Sequence, residues 1–536
     1  MDSLTFDYIV VGAGSAGCVM AARLSEDSGV RVALIEAGGS DASAWVTMPA
    51  ALIGTVPTSR MNWAYETVPQ AGLNVRRGYQ PRGKVMGGSS SINAMCYVRG
   101  HASDYDDWAA LGCAGWDWQS VLPYFKRSEG HLAGGSAAHH GFDGPLKVSN
   151  LRSPSSFNDY FLQAAQACGH ALNNDFNGAE QDGVGYYHVT QENGERCNAA
   201  RAYLAPALGR KNLSVFQQSH VKRIVFKGTR AVGVELLESS AGVVRTLRAS
   251  REVVVCAGTF GSPQLLMLSG VGPADHLRTN GITVVADRKN VGENLQDHVD
   301  CLITRRYNDV RLIGPSLAAI PNLWRQWRQY QTHKTGMLTS NYSEAGGFLR
   351  TQAGLSRPDV QWHFVIAKAE NHGRKKNWGQ GYGLHACNLR PKSRGTLRLV
   401  SGDSQAAPRI DPQFLSHPHD VGVLIRAYRA SQAVLQSAPF TPVRGQALAV
   451  EPALDDEAAI EVFIRQNADT IYHPVGTCRM GADDDSVVDT ALRVRGVQGL
   501  RVVDASIMPT LIGGNTNAPT LMIAEKTAAA MRADNQ

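Results

Sequence analysis

A short apolar and β-branched run, FDYIVV at Phe6–Val11, opens the chain and is followed at once by GAGSAG and then by CVMAARL. The change from a strand-like run to a small-residue turn to a helical pattern predicts strand, tight turn and helix in immediate succession. A second apolar run, VRVALIEAG, reads as another strand and ends in Glu36. Further along, NLSVFQQSHVKRIVF reads as strand, turn and strand, and LRVVDAS as a strand that delivers Asp504 at its C-terminal end. The run APTLMIAEKTAAAMRA is a strong helix pattern. PNLWRQWRQYQTHK has the spacing of an amphipathic surface helix, with Trp324, Trp327 and Tyr330 set among Arg325, Arg328 and Lys334. That mixture also suits a bilayer interface, so peripheral contact at an inner membrane is a second reading of it. No window approaches the roughly 18 uninterrupted apolar residues of a spanning helix.

The first of these patterns carries chemistry. Gly12 permits the tight turn, Gly14 with Ser15 lets backbone approach a pyrophosphate, and Gly17 allows helix and strand to pack closely. Glu36 lies nineteen residues beyond Gly17, the offset at which an acid bonds adenosine ribose hydroxyls. A carboxylate there also disfavours a 2′-phosphate, since like charges repel. FAD and NAD both satisfy this motif.

Composition narrows the field modestly. Hydrophobic residues at 43% and charged residues at 19% are the balance of a globular enzyme, and 536 residues suggest two intertwined domains. The net charge of +6 is scattered, giving nucleic-acid binding no support. The nine cysteines form no CxxC pair and are read as reduced thiols. Asp2 and Asp7 stand where a leader would carry basic residues, so the expectation is a cytoplasmic protein. Serine-rich GSPQ and GGSSS lack the GxSxG elbow of a hydrolase. HASDYDDW and AHHGFDG are read as solvated loops, and no metal is expected.

Four longer segments point to one family. PRGKVMGGSSSINAMCYVRG at Pro81–Gly100, GTFGSPQLLMLSGVG at Gly258–Gly272, TIYHPVGTCRMG, and RVVDASIMPTLIGGNTNAPTLMIAEK together resemble the signatures of the glucose-methanol-choline (GMC) oxidoreductases, in the expected order. The resemblance implies an α/β fold: a doubly wound, Rossmann-like FAD-binding domain with an inserted α+β substrate domain. It implies FAD as cofactor, with Val85, Gly88, Asn93, Ala94 and Tyr472 at the flavin, Val221 at the adenine, and Asp504 and Ala505 near the ribityl and phosphate region. Some members attach FAD through a His directly before that Asn; Ile92 stands there in this chain, so a non-covalent flavin is expected.

By the same resemblance His473 is the catalytic histidine, and a neutral imidazole near its ordinary pKa suits removal of a hydroxyl proton. Asn517 is assigned as its partner and also as a flavin contact, an amide that caps the last helix while donating to the substrate oxygen. Residues 1–300 are expected to be mainly FAD-binding with a substrate-domain piece near 151–195, residues 301–464 mainly substrate domain, and 465–536 a return to the FAD domain. Segments such as LTSNYSEAGGF and HGRKKNWGQGYGLHACNLRPKSRG are most like the acceptor-linked aliphatic alcohol dehydrogenases, with the choline-oxidising branch next. Partners are then a small alcohol and an electron acceptor such as quinone. A quaternary ammonium substrate would ask for a carboxylate; Glu344 is the candidate, though a solvated acid is the plainer reading. An oxygen-using oxidase and a flavin-containing hydroxynitrile lyase are the rival activities.

Overall fold

The computed structural model describes residues 4–534 except 239–241, 315–319, 369–370 and 376–377. The chain begins with β1 (Thr5–Val11), α1 (Ser15–Leu24) and β2 (Val32–Ile35), the strand, turn and helix of the glycine motif. It crosses to a second sheet for β3 (Gly183–Tyr186). It then returns for β4 (Leu213–Phe216), β5 (Ser219–Lys227), β6 (Arg230–Glu238), β7 (Val243–Val255) and the helix α2 (Gly258–Leu268).

The second sheet is completed by β8 (Val299–Arg306), β9 (Ser343–Leu349), β10 (Val360–Val365) and β11 (Gly381–Asn388). The helix α3 (Ile320–His333) lies between β8 and β9 in sequence. Next come α4 (Pro418–Gln436), β12 (Gln446–Ala447), α5 (Glu457–Asn467) and β13 (Ala468–Thr470). The chain ends in β14 (Leu500–Val502) and α6 (Asn517–Ala533).

The first sheet has the order β4-β2-β1-β7-β6-β5. Its core is parallel: β4 with β2, β2 with β1, and β1 with β7. β7 is long enough to divide its other edge. Its first half pairs antiparallel with β6, and Val253–Val255 pair in parallel with Leu500–Val502 of β14. The parallel centre is covered on both faces, so β2 is buried at every position and reads as an uninterrupted apolar run. The second sheet, β12-β8-β11-β10-β9-β3 with β13 on β8, is antiparallel throughout. Its core joins sheet residues such as Trp362 and Phe364 to α4 and α5 through Leu424, Tyr428 and Phe463. The strand Ala468–Thr470 still belongs to this sheet, so the chain returns to the first one only after Thr470.

The last helix closes the structure onto its beginning. On α1, Arg23 donates to the buried Glu525 of α6 at 2.7–3.1 Å, and Tyr203 donates to the same carboxylate at 2.9 Å. A chain separation of 502 residues is bridged beside the glycine turn. On the outer surface α3 buries Tyr330 while Trp324 and Trp327 stay exposed. Among the described residues no helix is long and apolar enough to cross a membrane. All nine cysteines are unpaired, and only Cys168 is exposed.

The glycine turn is tight for a measurable reason. A Cβ on Gly17 would sit 1.8 Å from the Gly12 carbonyl oxygen, so helix and strand touch backbone to backbone. Gly17→Ala is expected to destabilise the protein by about 1–3 kcal/mol, the usual cost of overpacking. Thermal unfolding of the variant beside the parent, both saturated with FAD, checks this; an unchanged transition would contradict it.

Candidate active site

A cavity of about 1520 Å³ runs from the glycine turn to the seam between the two sheets. Ligand pockets commonly span about 300–1,000 Å³, so this one has room for a large cofactor together with a second molecule. Its nucleotide end is lined by Gly12, Gly14, Ser15, Glu36, Gly88 and Val221. A Cβ at Gly14 would meet nothing within 4 Å, so this face of the turn opens onto free space. Glu36 is fixed by the backbone N–H groups of Ala13 at 2.9 Å and Gly38 at 2.7 Å, and burial raises it to about 7. Asn93, Ala94, Tyr472, Asp504, Ala505 and Asn517 also line the cavity. Asp504 accepts from the Gly258 N–H and the Ser262 hydroxyl, which ties the end of β14 to the start of α2.

Two expected cofactor residues stand off the cavity. Gly17 is occupied by the helix-strand contact. Val85 is 1% exposed, and a Cβ on Gly38 would come within 2.3 Å of its main-chain nitrogen, so the two loop backbones lie in contact.

At the far end His473 is buried, and its surroundings define its protonation. Its main-chain N–H donates to Asp297 at 2.9 Å, and the other oxygen of that carboxylate accepts from Thr470 and Gln80. Its ring faces His298, Nδ1 to Nδ1 at 3.0 Å. The Nε2 of His298 lies 3.1 Å from the Leu389 carbonyl, which can only accept, so Nε2 carries the hydrogen. Burial pushes His298 down to about 3, so this imidazole is neutral and its Nδ1 must accept. His473 therefore donates from Nδ1, and its Nε2 is left with a lone pair.

A second chain of donors reaches the same nitrogen. The Tyr187 hydroxyl donates to the Trp362 carbonyl at 2.5 Å and so accepts from Gln361. The Gln361 amide then donates to Asn515 Oδ1 at 3.1 Å, which turns the Asn515 NH2 toward His473 Nε2, 3.2 Å away. Burial first, then His298, His363 and Arg82, push His473 well below the ordinary histidine value. The expectation of a pKa near the ordinary value is thus corrected: a dry pocket with cationic and imidazole neighbours holds the ring neutral.

Asn517 is also corrected. It occupies the first turn of α6, but its side chain caps nothing; Thr516 is the cap residue, and it makes no side-chain cap bond either. The Asn517 Oδ1 accepts from the Ser15 hydroxyl at 2.7 Å, on the glycine-turn side. The amide beside His473 belongs to Asn515, because the chain changes direction where the helix starts. Sequence inspection had two asparagines in GNTNAPT and nothing periodic to choose between them. It also missed His298 and Gln361, which carry no local motif.

Other readings fall to burial. Glu344 is 1% exposed, off the cavity, and bonded to the Ser155 N–H and Asn158, so it is neither solvated nor a ligand carboxylate. In AHHGFDG, Ala138, Phe142 and Asp143 are exposed as a solvated loop would have them, but His140 lies buried, where Asp175 and Glu129 outweigh that burial and raise it to about 9. In HASDYDDW, Asp104 is buried and forms a capping box with His101. Glu129, His131 and His140 are close enough to hold a metal. Both His140 nitrogens already face carboxylates and Arg99 bonds Glu129, so these two members of the group are held in an ion-pair network. The substrate-side segment HGRKKNWGQ lies partly outside the described residues, at Lys376 and Asn377.

A nucleotide-shaped cleft leading to a buried neutral imidazole at a domain seam defines a nucleotide-cofactor oxidoreductase. The GMC oxidoreductase N-terminal family model matches residues 6–300 and its C-terminal model residues 391–524. The chain belongs to the GMC oxidoreductase family, whose members bind FAD. It is 43% identical over 523 residues to an alcohol dehydrogenase (acceptor) of Pseudomonas putida, covering 98% of this chain and 95% of that protein. It is also 43% identical over 536 residues to the mitochondrial choline dehydrogenase of Homo sapiens, covering 98% and 89%. The formate oxidase of Aspergillus oryzae RIB40, whose FAD modification has been studied structurally, superimposes with a TM-score of 0.91 at 26% identity, over 100% of this chain and 99% of that one. The residues present fit FAD: an open glycine turn, an acid beside it at Glu36 and a single large cavity that continues from there to His473.

In protein carrying 15N-labelled imidazoles, His298 and His473 should keep neutral-form resonances from pH 8 to pH 5. Titration of either near pH 6.5 would contradict the dry-pocket assignment.

Proposed function

We propose that this protein oxidises primary aliphatic alcohols to aldehydes, with His473 as the base and Asn515 as its partner. The reading is carried by His473 Nε2, a proton-free ring nitrogen on the cavity wall whose lone pair accepts from the fixed Asn515 NH2 until a hydroxyl takes that place. Bound FAD supplies the acceptor for the hydride that leaves the carbinol carbon. When an alcohol enters, its hydroxyl donates to His473 Nε2 and its oxygen accepts from the Asn515 NH2. His473 takes the hydroxyl proton, and the Asn515 donor stabilises the charge that grows on oxygen. Asp297 holds the His473 main chain and His298 holds the ring, so neither moves when the proton arrives.

The aliphatic preference draws support from Leu302, Val365, Ala367 and Leu448 on the cavity wall and from the 43% identity to the Pseudomonas putida enzyme. Choline oxidation is the second reading. It is favoured by the equal identity to the human choline dehydrogenase and by Asp300, a cavity-lining carboxylate that also bonds His385. We propose further that the FAD is non-covalent, because Ile92 offers no nucleophile, and that electrons pass to a quinone or another acceptor rather than to oxygen. Peripheral docking through Trp324 and Trp327 would bring α3 to a bilayer where quinone is held. Retention of the flavin with precipitated protein would refute non-covalent binding.

Anaerobic flavin reduction separates these readings. Butanol and longer alcohols should bleach the flavin, with slow reoxidation in air and fast reoxidation by a quinone; bleaching by choline alone would favour the second reading. His473→Ala should lower the reduction rate by about 10²- to 10⁴-fold with FAD still bound. Asn515→Ala should cost about 1–3 kcal/mol of transition-state stabilisation, a loss of about 5- to 150-fold. Asn517→Ala should affect FAD retention more than rate, and the reverse ranking of the two asparagines would contradict the pairing. Because His473 stays neutral, the limiting reduction rate should be level from pH 8 to pH 6; a fall with a midpoint near 6.5 would contradict it.

A further inference from the structure

Arg196 is 2% exposed and makes no ion pair among the described residues. Its guanidinium donates to three neutral oxygens: the Val46 carbonyl at 3.0 Å, the Ser90 carbonyl at 3.1 Å and the Asn93 side-chain oxygen at 2.8 Å. Burial lowers its pKa and no charged neighbour opposes this, yet a guanidinium remains protonated inside proteins. A buried cation without a counter-charge costs several kcal/mol. Among the described residues nothing supplies the missing negative charge.

The Asn93 amide shows which way that influence runs. Its Oδ1 meets both Arg196 and the Met95 N–H, the latter at 3.1 Å. Both groups only donate, so the atom facing them must be oxygen. The NH2 group is thereby turned to the opposite side. Asn93 lines the cavity, and its Nδ2 has no partner among the described residues. Ser90 and Asn93 belong to the loop that borders the cofactor end of the cavity, so one guanidinium ties down both that loop and the free donor it presents.

We propose that Arg196 is a positioning residue for the flavin: it fixes Asn93 with its NH2 facing the cofactor and lends the site an uncompensated positive charge. This rests on Asn93 being a flavin contact, as the family resemblance of the segment Pro81–Gly100 implies. The charge favours FAD most after it has taken up electrons, so Arg196 raises the reduction potential as well as ordering the loop. Arg196 itself does not line the cavity, which distinguishes this role from direct substrate contact.

The test is the two-electron midpoint potential of the holoenzyme in Arg196→Met, Arg196→Lys, Asn93→Ala and the Arg196→Met/Asn93→Ala pair, with thermal unfolding recorded alongside. Arg196→Met should weaken the preference for reduced over oxidised FAD by about tenfold, a potential lower by about 30 mV. Arg196→Lys, which keeps the charge but cannot hold all three oxygens, should shift it less in the same direction. The double variant should shift the potential by less than the sum of the two single changes, since the residues act as a unit. If Arg196→Met fails to fold, the Lys variant decides: a wild-type potential in it overturns the proposal. A wild-type potential in folded Arg196→Met while Asn93→Ala shifts also overturns it, leaving Asn93 as a flavin contact. No shift in Asn93→Ala would instead remove the reading on which it rests.

Discussion

The hydrogen bond between the two imidazole Nδ1 atoms, His473 to His298, is the constraint on which the chemistry of this protein depends. Two buried neutral rings facing each other through the same kind of nitrogen cannot both carry the proton there, and they cannot both lack it without losing the bond. The Leu389 carbonyl breaks the tie by claiming a hydrogen from His298 Nε2. Every later assignment then follows: His473 donates from Nδ1, and its Nε2 points a lone pair into the cavity. Independently, the Trp362 carbonyl orders Tyr187, Gln361 and Asn515 so that a donor arrives at the same place. Two carbonyls, that of Trp362 in β10 and that of Leu389 just beyond β11, thus orient both members of the pair.

The fold makes that convergence possible because neither sheet holds the site alone. His473 follows β13, the last strand of the antiparallel sheet, and leads back toward β14 of the parallel one. Asp297 and His298 precede β8, the strand that β13 pairs with, so pairing Val299 with Thr470 brings the two histidines together. Asn515 comes from the approach to α6, whose far side is anchored on α1 through Arg23 and Glu525. The crossing points of the chain between domains are therefore also where the reactive groups sit. A base at this seam is shielded from water, which keeps it neutral and ready to accept a proton without competition from solvent.

Burial without neutralising partners recurs in a second form at Arg196. Three other cationic side chains meet carboxylates: Arg99 with Glu129, Arg23 with Glu525, His140 between two of them. Arg196 differs from these in being satisfied only by neutral oxygens, and two of them belong to the loop that borders the cavity. The same loop contributes glycine and serine backbone on one side and the Asn93 donor on the other, so its order governs how the cofactor end of the cavity is presented.

Much of this was legible from the residues themselves. The strand, glycine turn and helix, the acid nineteen residues on, and the extended motifs around Asn93, His473 and Asp504 each keep their chemistry within a few consecutive residues, so local spacing records it. His473, the histidine proposed as the base, was marked in the sequence for the same reason. Its partners were not. His298 lies 175 residues from His473 and Asn515 lies 42 residues from it, and no periodicity links them. The choice of Asn515 over Asn517 turns on the direction the chain takes in the last steps before a helix, where side chains two residues apart point to different places. Glu344, His140 and Asp104 have the side chains of surface residues, and only packing reveals that they are buried and bonded. The sequence by itself determined which groups this protein owns and the local frames that carry them; the tertiary structure decided which of them meet, because protonation and orientation are set by neighbours that burial brings from distant parts of the chain.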